Sequence, residues 1–115
     1  MSAQLEVPRL EDLNDLGIAI EPFSQPWVVS VIAWANDGST VKLNWDGIAG
    51  SASVRWLNGD EVRLALWREA PVKISVRDEC GVIEFRVWSH WEGLAGQLIV
   101  TVGEHVTVHD TLLHT

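Results

Sequence analysis

From position 27 onward, apolar and polar residues alternate with a period of two. The alternation is broken at short intervals by "NDGS", "DGIAGS", "NGD", "EAP", "DECG", "SHWEG" and "GE". A period of two places successive side chains on opposite sides of a strand, and Gly, Asn, Asp and Pro clusters mark the turns between strands. The pattern predicts strands at 27–35, 40–45, 52–57, 61–68, 72–77, 82–88, 98–102 and 105–109. Connections this short join antiparallel neighbours, because a parallel crossover needs about a dozen residues or more. The expected fold is therefore mainly β. It is an antiparallel meander of roughly eight strands, closing as a small barrel or a strongly bent sheet, with a sandwich as the other way to cover both faces.

Ahead of the meander, "VPRLEDLNDLG" has a different rhythm. Leu10, Leu13 and Leu16 recur every three residues, Pro8 suits a first helical position and Gly17 can end the helix. A short helix over 7–17 and a β meander over 27–109 make one globular domain of 1–115. The 27–35 strand is apolar on both sides, which predicts that the helix covers its second side.

Residues facing each other across an antiparallel pair share a side of the sheet, so register can be tested against the pattern. A turn at Asp37 and Gly38 sets Trp34 against Val41, Ile32 against Leu43 and Ser30 against Trp45. A turn at Glu79 and Cys80 sets Val76 against Ile83, Ile74 against Phe85 and Val72 against Val87. For the strand after "NGD", a two-residue turn would put Trp56 opposite Glu61 and its aliphatics into water. A three-residue connection through Asp60, pairing Trp56 with Val62 and Val54 with Leu64, keeps them inside.

Four tryptophans stand eleven positions apart, at 34, 45, 56 and 67. That step is one strand plus one turn. Trp34, Trp45 and Trp56 share sides with aliphatic residues and are expected in the core. Trp67 falls on the side opposite Leu64 and Leu66 and is expected to point outward, as is Trp88. Pairing Leu66 with Ile74 and Ile74 with Phe85 aligns Trp67, Lys73 and Arg86 in one outward row with Trp88 beside it. Such a patch is either sheet-surface packing of cationic stems on indoles or a binding hot spot.

Charge adds a second candidate surface. The net charge is −8, and the first 26 residues hold four of the eight excess negative charges. Glu11, Asp12 and Asp15 on the helix suit a basic protein partner, whereas nucleic acid is disfavoured for want of a basic footprint. The longest apolar run, "WVVSVIAWA", is well short of the roughly 20 residues of a membrane helix. The N-terminus lacks a secretory pattern, and the lone Cys80 agrees with a reducing compartment, so a cytoplasmic protein that does not engage membranes is expected. Cys80, between two acids and a glycine, reads as a turn residue.

Catalytic and cofactor motifs are absent from the pattern. His105 and His109 share a strand side but stand about 13 Å apart in extended chain, too far for one metal. Ser89 and His90 are sequence neighbours, which does not make a nucleophile and base pair; in the same loop, Trp91 is expected to fold back as a lid. The function expected is a non-enzymatic protein-binding module of the small inhibitor or immunity type, without cofactor or metal. The alternative is a ligand carrier whose barrel encloses a cavity lined by Trp34, Trp45 and Trp56. An enzyme using His90 or His105 ranks third, and a homodimer through the tryptophan patch is the other use of that surface.

Overall fold

The computed structural model describes residues 5–21, 27–69, 71–91 and 94–114, and the side chains of all these except 91, 94 and 112–114. A one-turn helix α1 (Leu10–Leu13) is followed by strands β1 (Ala19–Glu21), β2 (Val28–Trp34), β3 (Ser39–Asp46), β4 (Ser51–Asn58) and β5 (Glu61–Glu69). Strands β6 (Pro71–Glu79), β7 (Val82–Trp91), β8 (Leu94–Val102) and β9 (Val106–His114) complete the chain. They form two antiparallel sheets, β1-β2-β3-β4-β5 and β6-β7-β8-β9, each a meander in chain order. The sheets do not close into the barrel that was one of the expected closures. Their inward sides contribute to one shared hydrophobic cluster, which is the sandwich alternative.

In the first sheet Val31, Leu43, Val54 and Leu66 lie side by side across four strands, with Ala33, Val41, Trp56 and Leu64 in the next inward row. The β2–β3 register differs by one residue from the expectation. Ala35 N–H donates to Ser39 O and Gly38 N–H to Ala35 O, so three residues, Asn36 to Gly38, form the connection. Val41 therefore faces Ala33, and Trp34 faces Thr40. A slip of one exchanges the sides of a whole strand. Trp34 is thus outside, 57% exposed, and not in the core, while Trp45 is buried and Trp56 partly buried against it.

At β4–β5 neither the two-residue Asn58-Gly59 turn nor the three-residue connection forms, yet the core pattern is kept. Asn58 pairs with Glu61 across a two-residue turn at Gly59 and Asp60, and Leu57 pairs with Val62. A bulge then inserts Arg63, so that Trp56 meets Leu64 and Val54 meets Leu66. Leu64 and Leu66 stay inside as expected, but by a bulge rather than by a longer turn, and Val62 is exposed.

The second sheet buries Ile74, Phe85, Val87, Leu98, Val100 and Val102. Its first turn is centred on Cys80 and Gly81, both at positive φ (53° and 86°), the signature of a type I′ hairpin. Ile74 meets Val87 and Val76 meets Phe85. The register is two residues from the expected one, so the inward side is unchanged.

The N-terminal segment runs along β6 rather than over β2, correcting the expected position of the helix. Glu6 N–H donates to Val72 O and Ile74 N–H to Glu6 O, pairing the segment with the edge of β6, and Gly17 N–H donates to Asp78 Oδ2. Leu13 enters the shared core, while Leu10 is exposed. The helix is shorter than 7–17 because Arg9 provides no side-chain cap and only Leu13 of its residues is buried. Two further links join the sheets. Arg68 of β5 pairs with Asp110 of β9, and at one end Asn36 and Asp37 N–H groups donate to Gly103 and Glu104 carbonyls.

Cys80→Asn is expected to raise stability by about 0.5–1 kcal/mol, because asparagine tolerates the left-handed turn position better than cysteine; urea unfolding checks this. Asp37, which accepts a 2.8 Å bond from Ser39 N–H, has its carboxyl held below the ordinary range, first by that bond, then by the Ser39 hydroxyl and by His105. Its contribution is present above the unfolded-state value near 3.8 and is lost as pH falls through the lower folded value. Asp37→Asn should therefore flatten the acid limb of the stability profile, measured by unfolding between neutral pH and about pH 3.

Candidate functional site

Two outward faces carry the candidate residues, and they belong to different sheets. A single residue separates β5 from β6 in sequence, and Pro71, which cannot donate to a ladder, opens β6. The chain changes sheets at this point. Leu66 accordingly pairs with Val54, not with Ile74, and the expected single row of Trp67, Lys73 and Arg86 does not form. Trp67 stands on the five-stranded sheet; Lys73, Arg86 and Trp88 stand together on the four-stranded one.

On the four-stranded sheet a second bulge, at Val72, brings Lys73 directly opposite Trp88. The Lys73 ammonium lies 5.1 Å and the Arg86 guanidinium 5.5 Å from the Trp88 ring centroid. Glu84 Oε1 lies 2.9 Å from Arg86 Nη2. Arg86 is thus shared between an indole and a carboxylate, and Trp88 is half-buried. This is the packing of cationic stems on an indole, each contact worth about 0.5–1 kcal/mol.

The outward side of the five-stranded sheet is built differently. Ser30, Asn44, Ser53 and Trp67 form one row across β2 to β5, and Val28, Asp46, Ser51 and Glu69 form the row beside it. Asn44 Nδ2 donates to Ser53 Oγ at 3.3 Å. Ser30 Oγ and Asn44 Oδ1 are buried without a hydrogen-bond partner among the described residues. Trp67 is 59% exposed, and its Nε1–H donates to Glu69 Oε1 at 2.6 Å. Between Trp67 and the β3–β4 ladder lies a cleft of about 250 Å³. Asp46 at its end accepts the Ile48 and Ala49 N–H groups on Oδ1, fixing the adjoining turn. Trp34 and Val62 add exposed apolar surface further along the face.

Of the acidic candidates, Glu11 and Asp12 lie exposed on α1 and Asp15 just beyond it, with Arg9 3.4 Å from Asp12. His90 and His109 are exposed, and His105 lies 3.6 Å from Asp37 at the end where the two hairpins meet. Among the described residues no three His, Cys, Asp or Glu side chains converge as metal ligands would, and no helix is long and apolar enough to cross a membrane. The lid expected of Trp91 falls outside the described side chains. The carrier alternative expected a barrel cavity lined by Trp34, Trp45 and Trp56; the sheets do not close into a barrel and Trp34 faces out, so these three indoles do not line one cavity. The polar row through Asn44 and Ser53 was missed in the sequence, although the outward Lys42, Asn44 and Asp46 alternation signals it.

No protein-family model and no curated protein matches this chain. Among solved structures it is similar to a chain of the contact-dependent growth inhibition toxin–immunity protein complex from Klebsiella pneumoniae 342. The TM-score is 0.76 over 98% of this chain and 100% of that chain, at 11% sequence identity. At that identity the likeness is one of fold.

Trp67→Ala should change stability by less than about 0.5 kcal/mol, whereas Trp45→Ala should cost about 3–5 kcal/mol. Urea unfolding of the two variants distinguishes a surface indole from a core one.

Proposed function

We propose that this protein is a non-enzymatic binding module of the immunity type, which neutralises a protein partner in the cytoplasm. The observation that carries the proposal is the outward side of the five-stranded sheet. It combines an exposed indole, a cleft lined by apolar and polar side chains, and further exposed apolar side chains on one ladder. Tryptophan at a cleft edge is a typical anchor of protein interfaces, and a sheet face holds its position without loop ordering. The whole-length fold similarity to a chain of a toxin–immunity complex supports the same reading. The net charge of −8 favours a basic partner and disfavours nucleic acid. An exposed free cysteine agrees with a reducing compartment. The acidic patch of Glu11, Asp12 and Asp15 is a second contact surface in this proposal, and the Lys73, Arg86 and Trp88 cluster borders the other face.

Growth of cells expressing each reading frame that flanks this gene, with and without this chain, tests the proposal. One frame is expected to arrest growth alone, and this chain is expected to restore growth and co-purify with its product. If neither product is toxic or retained, the proposal fails. Light scattering on the isolated chain tests the competing use of the face, self-association, which predicts a dimer that Trp67→Ala dissociates.

A further inference from the structure

We infer that the cleft beside Trp67 is a slot for one arginine side chain of the protein partner. The inference rests on the protein-binding proposal above and assigns the chemistry of its anchor.

Size comes first. At about 250 Å³ the cleft lies below the roughly 300–1,000 Å³ of sites that enclose a small molecule, and it is open along the sheet face. It suits one long side chain better than a free ligand. Its lining is mainly apolar, with an aromatic wall and a few oxygen acceptors. Asp46, Ser51 and Ser53 supply oxygen atoms, Val28, Trp45, Ala52 and Trp67 supply apolar surface, and no cationic residue lines it.

Electrostatics select a cation. Asp46 and Glu69 both pair with Ser51, from opposite sides, so two acidic residues flank the cleft with backbones two strand spacings, about 10 Å, apart. Asp46 uses Oδ1 for the Ile48 and Ala49 N–H groups, which leaves Oδ2 as an acceptor. Glu69 holds the indole by its Nε1–H, fixing the ring while its exposed part remains accessible. Nearby cations are committed elsewhere: Lys42 lies 2.7 Å from Glu21, and Arg68 pairs with Asp110. Arg55 sits one row away, opposite Lys42 and Ala65, outside the cleft lining. Arginine fits better than lysine because a planar guanidinium stacks on an indole while donating to a carboxylate at its edge. A second copy of this chain is disfavoured as occupant by the repulsion of two bodies of charge −8.

The test uses acetyl-Gly-Arg-Gly-amide and its citrulline counterpart, which keeps the shape without the charge. Titration is followed by the ¹⁵N–¹H signal of the Trp67 indole, assigned through Trp67→Phe. The expected result is a saturable shift with the arginine peptide and binding at least about tenfold weaker with citrulline, weakened roughly fivefold by Glu69→Gln and reduced by added salt. The slot is overturned by no saturable shift, by equal binding of citrulline, or by a Trp67 signal that moves on dilution of the protein alone, which would identify a second copy as the occupant. If Trp67→Ala and Glu69→Gln both retain wild-type affinity for a partner found by growth rescue, the slot is overturned and the binding function stands. If the peptide titrates as expected while neither flanking product is neutralised, the slot stands and the immunity reading falls.

Discussion

Burial of the inward side of each sheet against the other is the interaction on which the rest of this molecule depends. Val31, Leu43 and Val54 of one sheet and Ile74, Phe85 and Val100 of the other are almost wholly removed from water and belong to one cluster. Each such aliphatic or aromatic side chain contributes on the order of 1.5–3 kcal/mol when fully buried. An exposed ion pair contributes only about 0–1 kcal/mol. Once these rows are inside, the alternate residues of every strand are committed to the outside, including Asn44, Ser53, Trp67 and Trp88. The outward faces are a consequence of the core.

The same requirement explains the irregularities. A two-residue turn at Gly59 and Asp60 would have sent Leu64 and Leu66 outward had the ladder continued without interruption. The extra residue Arg63 returns them to the inward side, where both are partly buried. A one-residue bulge disturbs a single ladder position, whereas a side reversal would expose several aliphatics, so the bulge wins. At Val72 a second bulge, just after the change of sheet, sets Lys73 against Trp88 and produces the cation-on-indole packing of the four-stranded face.

The two faces differ in what their polar groups have left to offer. Around Trp88 each cationic group already has an aromatic or carboxylate neighbour, although Arg86 Nε is buried without a hydrogen-bond partner among the described residues. Around Trp67 the indole is exposed, Asp46 keeps Oδ2 outside its turn bonds and the cleft carries no cation of its own. Unspent acceptors beside a fixed aromatic ring, on a chain with a large negative charge, favour a basic group arriving from outside. The acidic residues near α1 lie on the segment that covers β6, so they extend the negative potential without joining the cleft.

The number of long strands, their turns and their antiparallel order were legible in the sequence because period two and turn chemistry are local. So were the inward Trp45, Leu64 and Leu66 and the outward Trp67 and Trp88. Trp34 was not. Its side turns on whether two or three residues connect β2 to β3, and hydrogen bonds at Ala35 and Gly38 decided that. Nor could the local pattern say that Trp67 and Trp88 lie on separate sheets, because the three residues "EAP" that it leaves between two strands serve a hairpin or a corner equally well. Only the packing of two complete sheets around one core selects the corner, and with it which side chains share a face.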